Sequence, residues 1–144
     1  MTTLIDSSVL LDILAPSSWR QWSEESLANA VDDGEVAINQ VIYAEIAVGF
    51  ATRERLERAL QGAGIKRLSL PWASAWLVAQ AFGRYRRAGG PRPLPLPDFF
   101  IGAHAQAAGL ALLTRDPARV KTYFPDVTLI APSPPDHAPP TSPG

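Results

Sequence analysis

The sequence has no cysteine among its 144 residues, so disulfides, thiolate metal sites and thiol catalysis are all excluded. Histidine is nearly as scarce, with two in the chain, which points away from zinc. Charge of one sign is also missing. Thirteen Lys and Arg stand against fourteen Asp and Glu for a net charge of -1, which argues against a uniformly basic nucleic-acid binder but permits a local basic patch. No apolar run is long enough to span a membrane. The N-terminus lacks a basic leader, and its first apolar run is broken by Asp6 and Asp12, so no export signal is read and the expected location is the cytoplasm. What is present is ordinary for a globular domain: 47% hydrophobic and 19% charged residues, in a length suited to one core.

Short apolar runs alternate with helical patterns. Thr3–Ile5 reads as a buried strand, and Val9–Leu14 as a short helix ended by Pro16. Ser17 or Ser18 caps a second helix carrying Trp19, Trp22 and Leu27, which stops at Asp33-Gly34. Glu35–Ile38 is a second strand, followed by Asn39 as the cap of a helix running to Phe50. Thr52 opens a helix with Leu56 and Leu60 turned inward. Ile65–Leu70 is a third strand. The next helix runs to Arg87, with Trp72, Trp76, Ala79 and Phe82 forming an apolar stripe assigned to the core. The proline-rich run 91–97 is expected to be extended and stiff, with Asp98 opening a small-residue helix through Ala108. Leu110–Thr114 and Val127–Ile130 complete five strands. This alternation predicts an α/β fold around a mainly parallel sheet covered on both faces. Residues 1–131 form the expected domain. Six of the thirteen residues from Pro132 to the end are proline, so 132–144 are expected to be a disordered tail.

Four acids stand out by position: Asp6 after the first strand, Glu45 within an apolar helix, Asp98 at a helix start and Asp116 after the fourth strand. Asp6, Asp98 and Asp116 are each also plausible N-caps, with Pro117 suited to the position after such a cap. Glu45 shares a helix face with Val41 and Val48, so it needs a cation, a proton or hydrogen-bond partners if that face is buried. Carboxylates gathered at one sheet edge repel one another unless a cation neutralises them, and oxygen-only ligands select Mg²⁺ or Mn²⁺. Such an ion suits water activation against a phosphodiester. Ser8 and Thr114 are candidates to orient an acid or a bound water, and equally ordinary helix-start and strand-end hydroxyls.

These residues resemble the motifs of PIN-domain ribonucleases. Leu4-Ile5-Asp6-Ser7-Ser8-Val9-Leu10-Leu11 is similar to the family's opening, in which Asp-x-Asn/Ser follows the first strand. Glu45, within Val41–Ala47, resembles the second acid. Pro97-Asp98-Phe99-Phe100-Ile101-Gly102-Ala103-His104-Ala105 resembles the third motif, and Leu112-Leu113-Thr114-Arg115-Asp116 the fourth, Thr-x-Asp. The resemblance covers residues 1 to 131, with Ser8 where many relatives carry Asn and an unusually long proline run before Asp98. It implies a PIN-like three-layer α/β/α sandwich of about five strands. It implies RNA cleavage dependent on Mg²⁺, with Mn²⁺ as substitute, and one or two ions held by Asp6, Glu45, Asp98 and Asp116. An isolated PIN domain of this size is most similar to VapC toxins of toxin–antitoxin pairs. That implies a homodimer, a structured RNA substrate such as tRNA or rRNA, and a VapB-type antitoxin as partner.

RNA contact requires a local patch. Arg84, Arg86, Arg87 and Arg92 precede Asp98, while Arg115, Arg119 and Lys121 surround Asp116; of these Arg86, Arg87, Arg92 and Arg115 are the leading phosphate contacts, against a reading of 84–87 as a helix's solvated end. His104 is expected to be a satisfied, partly buried histidine. Trp19 and Trp22 are open between core and a partner groove. The rival from another class is a PIN-like module that binds RNA or protein without cutting. A haloacid-dehalogenase-type site lacks its second Asp at Ser8, and a receiver domain lacks its paired acids at Ser7 and its Lys at Arg115.

Overall fold

The computed structural model describes residues 1–91 and 95–133. Five strands, β1 (Thr3–Ile5), β2 (Val36–Ile38), β3 (Lys66–Arg67), β4 (Ala111–Leu113) and β5 (Leu129–Ile130), form one sheet in the order β3-β2-β1-β4-β5. Every pairing is parallel. β1 lies at the centre, with Thr3, Leu4 and Ile5 all buried, as a strand covered on both faces must be. The strands are shorter than the apolar runs suggest. β3 keeps two residues of the expected Ile65–Leu70, because it pairs only with Ala37 and Ile38 at an exposed edge.

Seven helices occur among the described residues: α1 (Ser7–Leu14), α2 (Arg20–Asp33), α3 (Gln40–Ala47), α4 (Arg53–Gly62), α5 (Trp72–Arg87), α6 (Leu96–Ala108) and α7 (Ala118–Tyr123). The chain builds β1, β2 and β3 outward in one direction, then returns across the sheet to β4 and β5. Right-handed crossovers therefore put α1–α4 on one face and α5–α7 on the other, the three-layer α/β/α arrangement expected. Most helix contacts follow this division: α1 meets α2 and α3, while α6 meets α5 and α7, and α3 also reaches α6 across it. The core between the layers holds Leu4, Ile5, Ile42, Ile46, Phe99 and Leu112.

Local signals account for some of the helix boundaries. Asn39 and Thr52 accept hydrogen bonds from the amides of Ile42 and Arg55, as capping requires. Gly109, in the left-handed region at φ 64°, ends α6 and turns the chain into β4. Two expectations need correction. α6 begins at Leu96, inside the proline run, because Pro97 in a first helical turn forfeits no hydrogen bond. Of the stripe assigned to the core on α5, Trp72 and Trp76 face outward, 92% and 68% exposed, and Ala79 is exposed with them, while Phe82 packs against the core. Ser74, Val78, Ala81 and Tyr85 face inward instead, the first three small enough for α5 to lie close on α6. Trp19 is the buried tryptophan, in edge contact with Trp22. Apart from Pro132 and Ser133, the expected tail lies outside the described residues.

His104 is fully buried, beyond the partial burial expected, and its Nδ1 lies 3.0 Å from Asn39 Nδ2. The Asn39 carbonyl oxygen already accepts the Ile42 amide, so its amino group faces the ring and Nδ1 must be the acceptor. Burial pushes the His104 pKa below its ordinary 6.5. Because the folded value is the lower one, stability is complete above 6.5 and is lost as pH falls below it. Denaturant unfolding between about pH 7.5 and about 5.5 should show the wild type losing stability relative to His104→Gln; parallel profiles would contradict this.

Candidate active site

The sheet's direction of growth reverses between β1 and β4, and in open α/β sheets the crevice beyond the carboxyl ends of such strands is where ligands bind. Asp6 follows β1 directly, and Thr114-Arg115-Asp116 follow β4. Asp6 stands at the N-cap position of α1, yet its side chain makes no capping bond. Its Oδ2 instead accepts two hydroxyls, Ser8 Oγ at 2.7 Å and Thr114 Oγ1 at 2.8 Å. The same hydroxyls tie down the β4–α7 loop: Ser8 Oγ accepts the Arg115 amide at 3.2 Å, and Thr114 Oγ1 accepts the Asp116 amide at 3.0 Å. Both hydroxyls are thus shared between the first acid and the loop that carries the last.

Glu45 is half-buried on α3, and its Oε1 accepts Ser7 Oγ at 2.9 Å. The apolar face argued for it does not exist as such, since Val48 lies beyond the helix and is 88% exposed. Ser7 and the neighbouring acids make its environment. Burial pushes the Glu45 carboxyl above the usual carboxylate range, with the charges of Asp6 and Asp98 adding to the push against the Ser7 hydrogen bond. Asp6 is raised likewise, by burial first, with Asp98 adding; the Ser8 and Thr114 hydroxyls oppose the rise without cancelling it. Asp6, Glu45 and Asp98 therefore share one electrostatic environment.

Asp98 sits in the first turn of α6, held in register by Phe99, which packs against Phe82, Tyr85, Tyr123 and Phe124. Its Oδ2 receives Arg119 Nη1 at 2.7 Å. Asp116 is exposed and does not cap α7, whose N-cap residue is Pro117. Asp6, Ser8, Asp98, Thr114, Asp116 and Arg119 line one cleft of about 260 Å³. A larger apolar groove of about 640 Å³, walled by Tyr43, Phe50, Leu56 and Leu68, contains none of the four acids.

Among the described residues no three His, Cys, Asp or Glu side chains are drawn together tightly enough to enclose a metal ion. The donor set nevertheless fits a hard cation: it is all oxygen, and a guanidinium already occupies a cation's place against Asp98. Arg115 turns away from the cleft's acids. Its Nε lies 2.9 Å from Asp12 Oδ2 as an ion pair without hydrogen-bond alignment, and its guanidinium stands 5.8 Å from the Trp19 ring. Arg86 and Arg87 are exposed at the end of α5, and Arg92 lies outside the described residues. Ser7 and Asp12 were not singled out as site residues from the sequence. Asp12 carried the signal used for Glu45, an acid interrupting an apolar helix; Ser7 had only its adjacency to Asp6.

The sequence matches the PIN domain family over residues 3–124. The chain belongs to that family, whose general activity is that of a nuclease. Its fold is shared with chains of solved toxin–antitoxin complexes. The VapBC2 complex of Rickettsia felis, bound to a promoter DNA fragment, superposes with a TM-score of 0.69 at 15% identity, covering 91% of this chain and 98% of that one. VapBC-1 of nontypeable Haemophilus influenzae gives 0.69 at 16% identity over the same shares. A toxin–antitoxin complex of Klebsiella pneumoniae gives 0.63 at 22%, again covering 91% and 98%. No curated protein matches in sequence. No helix among the described residues is long and apolar enough to cross a membrane.

Proposed function

We propose that this PIN-domain protein is an endoribonuclease dependent on Mg²⁺, or Mn²⁺ in its place, and the VapC-type toxin of a toxin–antitoxin pair. The observation that carries the reading is the Asp6 carboxylate, fixed by two hydroxyls at the switch point and coupled in charge to Asp98 and Glu45. Asp6, Glu45, Asp98 and Asp116 are the residues that would hold the ion. When bound, Mg²⁺ supplies a more acidic water and positive charge opposite the leaving oxygen. The chain's own groups do the rest. Ser8 and Thr114 fix the plane of the Asp6 carboxylate, Ser7 orients Glu45, and Asp116 is held at the cleft by its backbone bond to Thr114. His104 is spent on Asn39 inside the core, so among the described residues no histidine base enters the scheme.

Three partners accompany the reading. Structured RNA is the substrate, with the exposed Arg86 and Arg87 available to phosphate. A VapB-type antitoxin is the inhibitor, supported by the likeness to VapBC complexes. A second copy of the chain is the third, supported by the uncovered Trp72 and Trp76.

The deciding experiment incubates the purified protein with total RNA, with and without Mg²⁺ or Mn²⁺, and maps the new ends. Defined ends that require the ion are expected. RNA that is bound but left intact at every ion concentration would overturn the reading in favour of a binding module.

A further inference from the structure

Two arginines line the acid cleft among its described residues, and they are held very differently. Arg115 is paired with an acid whose side chain is 5% exposed and lies over an aromatic ring. Arg119 is paired with Asp98 where both side chains are open to solvent, 41% and 48% exposed. An exposed pair of this kind is worth about 1 kcal/mol at most and is easily exchanged. Arg119 also stands where the acid cleft meets a second cleft of about 550 Å³, bordered by Trp19, Tyr85 and Tyr123. The nearby Arg84 is committed, donating to the Tyr123 carbonyl at 2.7 Å.

We infer that Arg119 is an exchangeable cation of the catalytic site: it holds Asp98 until a metal ion takes that carboxylate, and then turns to the phosphate of the substrate. The inference rests on the metal-dependent reading of the site and adds a catalytic residue to it. Two physical demands meet in one side chain. The clustered acids need positive charge before the ion arrives. A phosphodiester undergoing displacement needs a donor on its non-bridging oxygens, and a guanidinium fits two of them at once. No bond is made or broken by Arg119 itself; it trades one anion for another.

The consequence is a pair of effects in opposite directions. Removing Arg119 removes a competitor for Asp98, so the ion should bind more tightly; it also removes the phosphate donor, so cleavage should slow. A residue with a purely structural role would weaken both. The test uses the full chain. Mn²⁺ affinity is measured by calorimetry without RNA for the wild type, Arg119→Gln and Arg119→Lys, and single-turnover RNA cleavage is measured at saturating Mn²⁺. Arg119→Gln should bind Mn²⁺ roughly 2- to 5-fold more tightly and cleave about 100-fold more slowly. Arg119→Lys should fall between in both. Lys121→Gln, which removes an exposed charge from the same helix, controls for simple charge reduction and should leave Mn²⁺ affinity unchanged. Unchanged or weaker Mn²⁺ binding in Arg119→Gln would overturn the exchange, and tighter binding with undiminished cleavage would overturn the phosphate role. If the wild type fails to cut any RNA, the functional reading fails, while the Mn²⁺ comparison still tests the exchange by itself.

Discussion

Asp6→Asn should abolish metal-dependent RNA cleavage and leave the protein folded. The expected loss is roughly a thousand-fold or more, the several kcal/mol of transition-state stabilisation that a correctly held ion contributes. Asn is close in shape to Asp, and its amide oxygen can still accept the hydroxyls of Ser8 and Thr114. What it lacks is the negative charge. That charge is already unfavourable in the metal-free protein, since burial and Asp98 both push the Asp6 carboxyl upward. Neutralising it therefore costs no stability, and the thermal midpoint without metal should hold or rise. The dead site is the signature of a ligand; the stable fold does not bear on capping, because Asn caps a helix as well as Asp does and Asp6 makes no capping bond. Asp6→Asn protein that cuts within about tenfold of the wild type would remove Asp6 from the site.

The order of strands and helices was legible because parallel strands buried on both faces leave short apolar runs, and some helix starts carry their own signal. Asn39 and Thr52 acted where the sequence put them. The position of Asp6 was legible for the same reason: an acid directly after a central strand has few places to go. The facing of α5 was not. Trp72, Trp76 and Ala79 lie at helical spacing, but so do Ser74, Val78, Ala81 and Tyr85, and periodicity alone cannot choose between two stripes of one helix. Packing against α6 and the core chose the face with Ser74, Val78, Ala81 and Tyr85. The route by which Glu45 was argued was faulty, since Val48 is exposed and Ser7, not an apolar face, orients the carboxylate. Asp98 and Arg119 come together through the packing of α6 on α7, which no local pattern encodes.

Asp12 is the clearest case of a role set by contacts distant in sequence, and it gives the largest expected effect on stability. It lies on α1, 4% exposed, in a run of Val and Leu where its charge would be untenable alone. Ser17 Oγ donates to its Oδ1 and Ser23 Oγ to its Oδ2, each at 2.8 Å, and the Arg115 guanidinium neutralises it. The pair fastens the β4–α7 loop to α1 and α2, and the backbone of Arg115 passes that constraint to Ser8 and so to Asp6. Removing one partner of a buried pair costs about 3–5 kcal/mol. Arg115, with 28% of its side chain exposed, can turn partly to water, which places Asp12→Ala near the lower end, at about 3 kcal/mol. Against a domain stability of roughly 5–15 kcal/mol, that is a large share, readable by urea unfolding. Asp12→Asn should cost less, because an amide can keep one hydroxyl bond and needs no counter-ion. Arg115→Ala alone leaves the acid buried without its cation. The two losses should therefore not add, and the double variant should recover at least 1 kcal/mol of their sum. Additive losses, or a cost below about 1 kcal/mol for Asp12→Ala, would mean that the loop is held by its backbone bonds and that the pair is incidental.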